Sequence, residues 1–156
     1  MPLVDVVAEV PAPVDAVWRR LTDWPAHGRW VPFTQVRVLT PRPDGVGARF
    51  VGRTGVGPLG FDDPMEITEW TPPAGGAAGR CAVIKQGRVL VGTADFEVAP
   101  ATAGSRVRWR EDFEVTPARL TRPLAPVTRW VTKALFARML RRMSRELARE
   151  QAGGRG

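Results

Sequence analysis

One long segment of the chain, residues 127–151, contains neither glycine nor proline and is followed by Gly153 and Gly154. Because Gly and Pro interrupt helices and Gly commonly ends them, this segment predicts a single long helix. Each step of four residues turns the apolar direction of a helix by about 40°, so a ridge at this spacing winds around it. Two interpretations are open: the whole ridge packs in the core, or a strongly curved sheet buries the second half and leaves the first half to cover a cavity mouth or to contact a partner or a membrane. The ridge consists of Val127, Val131, Leu135, Met139, Met143 and Leu147.

The region before this helix has the pattern of an antiparallel meander, in which short strands alternate with turns rich in Gly and Pro. Alternation of apolar and polar residues at 4–10 predicts a first strand. Two short helices are expected next, one near Asp15 and one running through Ala26 to Trp30. Six further strands are predicted at residues 35–40, 48–55, 64–70, 80–86, 92–99 and 106–116.

The length of 156 residues suits one domain, which we predict to span residues 1–151, with a disordered tail at 152–156. The single cysteine, Cys81, cannot form an intramolecular disulfide, and the N-terminus lacks the regions of a signal peptide. No apolar run approaches the roughly 20 residues that a membrane-spanning helix requires. We therefore expect a cytoplasmic protein.

The formal net charge of +7 makes anionic partners worth considering. Almost all of the excess is arginine, with Lys85 and Lys133 as the only lysines, which a coding preference for arginine also explains. The motifs of basic nucleic-acid recognition modules are missing from the sequence. Nucleic acid is not expected as a partner.

Three segments and the closing helix resemble one superfamily over nearly the whole chain. The segments VWRRLTDWPAHGRWVP, GFDDPMEITEWTPP and GRVLVGTADFEVAPATAGSRVRWREDFEV are similar to the polyketide cyclase/dehydrase and lipid-transport branch of the START-like (SRPBCC) superfamily. The resemblance implies an α+β helix-grip fold, in which a curved seven-stranded antiparallel sheet and two short helices enclose a cavity under the long C-terminal helix. It also implies a hydrophobic ligand such as a lipid, a polyketide or an aromatic metabolite. No cofactor is expected, because the glycine-rich segment PRPDGVG lacks the lysine and the following helix of a phosphate-binding loop.

Glu111 is the strongest candidate for polar chemistry in such a cavity. It lies in the middle of the apolar face of the last predicted strand, between Trp109 and Phe113. A carboxylate there needs a cation, hydrogen-bond donors or water, and otherwise its pKa rises. It could act as an acid or base, hydrogen-bond a ligand hydroxyl, or form an ion pair. Lys85 is its natural partner if the lysine points inward.

Asp62 and Asp63 are expected in a turn before the strand at 64–70. Paired acids there could act as a base or bind a cation, although such a pair more often caps a turn. Asp63 is thus a second candidate acid or base. Because His27 is the only histidine, a metal site with several histidine ligands is excluded, and we expect His27 to pack beside Trp24 and Trp30.

Three functions remain open on the sequence alone. The first is a carrier that binds a hydrophobic molecule, and the second is a cofactor-independent cyclase or dehydratase that uses Glu111 or Asp63. The third is a non-catalytic protein that meets a membrane, a partner or a second copy through Val127, Trp130 and Val131. A stripe of arginines on the solvent side of the helix is more simply an ordinary charged face. The ligand-binding residues expected for the first function are Phe50, Met65, Ile67, Lys85, Phe96, Trp109, Phe113, Leu135, Met139 and Met143.

Overall fold

The computed structural model describes residues 4–154, which contain one seven-stranded sheet and four α-helices. The α+β class, the seven strands and the long terminal helix predicted from the sequence are confirmed. The strands are β1 (Val4–Val10), β2 (Thr34–Val38), β3 (Arg49–Val56), β4 (Leu59–Thr71), β5 (Gly79–Gln86), β6 (Leu90–Ala101) and β7 (Gly104–Val115). The helices are α1 (Val14–Leu21), α2 (His27–Trp30), α3 (Ala118–Thr121) and α4 (Ala125–Gly153), with 3₁₀ turns at Trp24–Ala26 and Arg122–Leu124.

The sheet is antiparallel throughout, in the order β1-β7-β6-β5-β4-β3-β2. β1 and β2 are its two edges, and the chain passes from one edge to the other through α1 and α2. The sheet curls into a half-barrel beside α4, which is the helix-grip arrangement that the resemblance implies.

Strand β7 alternates between the two faces of the sheet as its sequence predicts. Val107, Trp109 and Glu111 are buried on the inner face. The outer face is held by cross-strand ion pairs: Arg106 with Glu9, Arg108 with Asp5 and Arg110 with Asp95. This alternation carries Glu111 into the interior, because residues two apart in a strand share a face.

Strand β4 begins five residues earlier than predicted, and this corrects the position of Asp62 and Asp63. The turn before it is confined to Gly57 and Pro58, and β4 pairs with β3 from Leu59 onward. Asp62 and Asp63 therefore lie within a strand and point to opposite faces, with Asp62 exposed and Asp63 buried.

The reason for the longer strand is a close contact between two glycines. Gly55 and Gly60 face each other across the β3–β4 pair, and a Cβ on Gly55 would lie 2.3 Å from the Gly60 Cα. Gly55 also has a φ of 136°, which disfavours residues with a side chain. The glycines thus allow pairing to continue to the tip of the hairpin.

Helix α4 divides into two halves, in keeping with the second interpretation of its winding ridge. Met139, Leu140, Met143 and Leu147 are buried in its second half, whereas Trp130 in the first half is 72% exposed. The helix ends at Gly153, two residues beyond the predicted end, so Ala152 and Gly153 are helical. The rest of the predicted tail is Gly154 and residues 155–156, the last two of which lie outside the described residues. The domain limits of 1–151 stay a prediction.

The segment between β1 and β2 packs through large aromatic side chains. Trp18 in α1 contacts Trp70 and Phe96, with ring centroids 5.2 and 5.5 Å apart. Trp30 in α2 donates a 2.9 Å hydrogen bond from its indole nitrogen to Glu146 of α4. These contacts fix the short helices against the sheet and against the second half of α4. No helix within residues 4–154 is long and apolar enough to cross a membrane.

Candidate functional site

A cavity of about 310 Å³ lies between the inner face of the sheet, the segment that leads into β2 and the first half of α4. Its volume is at the lower end of the range for small-molecule sites, and its wall is mostly apolar, as such sites usually are. The aromatic part of the wall consists of Trp24, Phe50, Phe61, Phe96, Trp109, Phe113 and Phe136.

The cavity exists because α4 presents small side chains to the sheet in its first half. Thr128 and Thr132 lie one turn apart on the wall, followed by Leu135 and Phe136. From Met139 onward, large apolar side chains fill the corresponding space between α4 and the sheet. The sheet contributes to the opening through Gly52 of β3 and other small inner residues.

Three of the charged side chains on the wall are buried, and they form what we call the polar cluster: Asp63, Lys85 and Glu111. Their exposed fractions are only 7%, 6% and 3%. The Lys85 Nζ donates a 2.7 Å hydrogen bond to Asp63 Oδ2 and lies 3.9 Å from Glu111 Oε2. Lys85 thus points inward, and its nearest acidic partner is Asp63.

The register of the sheet explains why these side chains meet. Asp63, Lys85 and Glu111 are inner residues of β4, β5 and β7. Lys85 lies opposite Gly92 of β6, and Glu111 lies opposite Ala94 of the same strand. Because these two positions carry little or no side chain, Lys85 can approach Glu111 across the intervening strand.

The polar cluster changes the proton affinity of two of its members. Burial alone would lower the pKa of Lys85, but the negative charges of Glu111 and Asp63 and the hydrogen bond to Asp63 raise the pKa above its usual value. Burial raises the pKa of Glu111, and the Lys85 charge and the hydrogen bond from Trp109 offset only part of that rise. Lys85 is therefore charged, and Glu111 accepts a proton more readily than a solvated glutamate.

We expect the Glu111→Gln variant to gain stability relative to the parent protein as the pH rises above 4.5, the ordinary pKa of glutamate. The folded-state pKa of Glu111 lies above that value, so its stabilising contribution is present at lower pH and is lost as the pH rises through the folded-state pKa. Because glutamine does not titrate, the Glu111→Gln variant does not undergo this loss of stability. Urea unfolding of both proteins between about pH 4 and 8 measures the difference. Free energies of unfolding that run parallel over this range would contradict the prediction.

His27 and Cys81 are of the residue types most often used as nucleophiles or metal ligands, and the surroundings of both disfavour their charged forms. His27 packs against Trp24 and Trp30, as predicted, and its Nε2 lies 2.8 Å from the accepting carbonyl oxygen of Leu21. Burial lowers the pKa of His27 and raises that of Cys81 to about 12. Within the described part of the chain, no three His, Cys, Asp or Glu residues are grouped so as to hold a metal ion.

Most of the ligand-binding residues predicted from the sequence lie on this wall, but three do not. Ile67, Met139 and Met143 have no exposed surface and belong to the core. The two methionines lie in the half of α4 that fits closely against the sheet, and Ile67 is the last inner residue of β4 before a bulge. The predicted residues that do line the cavity are Phe50, Met65, Lys85, Phe96, Trp109, Phe113 and Leu135, together with Asp63 and Glu111.

Three groups of wall residues were not predicted from the sequence. Thr128 and Thr132 are polar and so do not stand out in a hydrophobic pattern, although with Leu135 they have the i, i+4, i+7 spacing of one helix face. Phe61 falls in a segment that was predicted as a turn. The remaining wall residues that were not predicted come mainly from the stretch between the 3₁₀ turn at Trp24–Ala26 and strand β2, and include Trp24, His27, Val31, Pro32, Thr34 and Val36.

Comparison with known proteins supports one family. The family model described as "Polyketide cyclase / dehydrase and lipid transport" matches residues 1–149. No curated protein sequence matches the chain.

Several solved structures share the fold. A protein from Thermus thermophilus superposes with a TM-score of 0.74 at 16% identity, over 94% of this chain and 97% of that chain. The di-domain ARO/CYC protein StfQ of the steffimycin biosynthetic pathway gives a TM-score of 0.69 at 16% identity, over 96% of this chain and 51% of that chain. The Zhui aromatase/cyclase from a Streptomyces species gives 0.56 at 16% identity, over 87% and 90%. At these identities the likeness shows the fold alone. By the family match, the chain belongs to the polyketide cyclase / dehydrase and lipid transport family.

Proposed function

We propose that this member of the polyketide cyclase / dehydrase and lipid transport family binds a hydrophobic small molecule, such as a lipid, a polyketide or an aromatic metabolite, in the cavity between the sheet and α4. The observation that carries the proposal is a cavity with aromatic walls that contains a buried cluster of charged side chains. Apolar walls supply affinity, and a few fixed polar groups orient the ligand.

The position of the polar cluster supports a binding role over a purely structural one. Burying three charged groups is expensive, and replacing a buried ion pair with well-packed apolar residues is often neutral or stabilising. Lys85, Asp63 and Glu111 nonetheless lie on the wall of an otherwise largely apolar cavity. Stability alone does not account for the cluster, whereas contact with the polar end of a ligand does.

The first experiment is native mass spectrometry of the purified protein, followed by denaturing extraction of any bound molecule. The protein is then incubated with aromatic polyketides and lipids, and the recovered compounds are compared by chromatography. A retained and unaltered apolar molecule is the expected result. A protein that is empty and ignores every candidate contradicts the proposal.

Filling the cavity from the helix is expected to abolish binding. Thr132 is a wall residue, so the indole of a Thr132→Trp variant would occupy the space of the ligand, and we expect at least a tenfold loss of affinity for any ligand that the extraction identifies. The matched control is Lys133→Trp, which alters the next, exposed residue. Equilibrium dialysis measures both affinities, and circular dichroism reports whether each variant is folded. Equal affinities for the two variants would place the ligand elsewhere.

A cofactor-independent cyclase or dehydratase is the second candidate. Glu111 favours it, because burial raises the pKa of this carboxyl group, and a carboxyl group in a cavity can act as a general acid or base. Asp63 is close enough to Lys85 to share in such a transfer. Conversion of an incubated compound, lost in Glu111→Gln while its binding persists, is the outcome that this candidate requires.

The exposed face of α4 is a proposed contact surface, independent of the cavity. Val127, Trp130 and Val131 are exposed there, and the sequence between Glu114 and Glu146 has basic residues but no acidic ones. Like charges disfavour a second copy at this face, whereas an anionic membrane complements it. Flotation with vesicles that contain anionic lipid, compared between the parent protein and Trp130→Ala, tests this contact.

A further inference from the structure

We propose that the ligand of the cavity carries a neutral hydroxyl group, as an alcohol or a phenol, and that this hydroxyl binds between Asp63 and Lys85. The inference rests on the proposed binding function and specifies the chemical class of the ligand.

Asp63 supplies the first argument. Its Oδ2 accepts the hydrogen bond from Lys85, but its Oδ1 is buried and has no hydrogen-bond donor in the described part of the chain. Buried acceptors in native proteins nearly always have a donor, and a molecule bound in the cavity that Asp63 lines can supply it. We therefore expect the ligand group to donate a hydrogen bond.

Lys85 supplies the second argument. An ammonium group has three N–H donors, and within residues 4–154 only one of them has a short partner, at 2.7 Å to Asp63. The Met65 sulfur at 3.8 Å and Glu111 Oε2 at 3.9 Å are too distant for strong hydrogen bonds. The ligand group must therefore also accept a hydrogen bond. A hydroxyl does both with a single oxygen atom.

The charges of the polar cluster exclude the common ionic alternatives. A ligand carboxylate has no donor for Asp63 Oδ1 and would add a third acidic group beside Asp63 and Glu111. A ligand ammonium has no acceptor for the Lys85 N–H groups and would add a second cation beside Lys85. The other acidic residue on the wall, Asp95, is already paired with Arg110. A neutral hydroxyl avoids both repulsions and leaves the Lys85–Asp63 pair intact.

The test compares three ligands with one ring system, naphthol, naphthalene and naphthoate, by equilibrium dialysis at neutral pH. The aromatic wall offers the same contacts to each ring, so differences in affinity report on the polar group. We expect naphthol to bind about tenfold more tightly than either of the others, which corresponds to one hydrogen bond with a charged partner.

Two variants locate the preference. In Asp63→Asn the side-chain oxygen remains available to Lys85 and an amide N–H₂ replaces the unpaired acceptor, so we expect the preference for naphthol over naphthoate to fall by about tenfold or to reverse. Asp62→Asn is the control, because Asp62 is exposed on the same strand and bonds Arg53 outside the cavity. It should retain the preference of the parent protein.

The outcomes separate the two proposals. If the parent protein binds all three compounds equally, or prefers naphthoate, the hydroxyl inference is wrong while the cavity remains a binding site. If none of the three binds and extraction yields no ligand, both proposals are wrong. The comparison on the parent protein decides the matter even if Asp63→Asn does not fold.

Discussion

Replacing Lys85 with methionine is expected to lower the free energy of unfolding by about 3–5 kcal/mol at neutral pH. The substitution leaves the buried carboxyl groups of Asp63 and Glu111 without their shared cation, which lies 2.7 and 3.9 Å away in the parent protein. Uncompensated buried charge is among the most destabilising changes that a single mutation produces. Urea unfolding followed by tryptophan fluorescence, extrapolated linearly to zero denaturant, measures the loss.

The chain contains its own control for this experiment. Lys133 is the other lysine and is exposed, so Lys133→Met should change the free energy of unfolding by no more than about 0.5 kcal/mol. The deficit of Lys85→Met should also narrow as the pH falls, because burial raises the pKa of Glu111 and its protonation removes one uncompensated charge. Equal stability of the two variants at neutral pH would show that the polar cluster is not the buried charge network that the geometry indicates.

The single replacement Trp109→Ala is expected to lower the free energy of unfolding by about 3–5 kcal/mol and to weaken ligand binding strongly. The Trp109 ring stacks against Phe96 and Phe136 with centroids 5.5 and 5.1 Å away, so it joins the sheet to α4 across the cavity. Its indole nitrogen also donates a 3.0 Å hydrogen bond to Glu111. Removing the ring enlarges the cavity and leaves the Glu111 carboxyl group without that donor.

Trp130→Ala is the matched control, since that ring is 72% exposed and its loss should change stability by no more than about 0.5 kcal/mol. Urea unfolding gives the stability of each variant, and equilibrium dialysis gives its affinity. A Trp109→Ala protein that is as stable as Trp130→Ala and binds the ligand with parental affinity would refute the role assigned to Trp109.

The elements that local periodicity defines were predicted correctly from the sequence. The alternation along β7 is enough to place Glu111 on the buried face, because a period of two does not depend on distant residues. The absence of Gly and Pro between residues 127 and 151 likewise indicates α4. Both patterns are properties of a single element.

The features that sequence reasoning missed depend on pairing between elements. The segment GVGPLGFDD looks like one long turn, and only the approach of Gly55 to Gly60 across the hairpin shows that β4 includes Asp63. The direction of Lys85 was equally undetermined, because both faces of β5 carry apolar residues. Its meeting with Asp63 depends on strand register, which no local pattern specifies.

The extent of the cavity could not be predicted from hydrophobicity either. The apolar residues of α4 indicated Met139 and Met143 as wall residues, but a close fit against the sheet encloses both in the core. The cavity lies about two to three turns before Met139, where Thr128 and Thr132 leave space. Empty volume arises where side chains are small, whereas a hydrophobic pattern identifies the large ones.

The pairing of β1 with β7 governs the order in which the chain can fold. Val4 lies opposite Glu111, and Val10 lies opposite Ser105, so the partners are separated by about a hundred residues of sequence. During synthesis β1 has no sheet partner until β7 has emerged, and the buried half of α4 follows later still. Domains dominated by such distant contacts fold on the order of milliseconds to seconds, because a long loop must close before the contacts form. A nascent chain that ends before residue 104 therefore exposes β1 as an unpaired edge, which is the state most open to association with other chains.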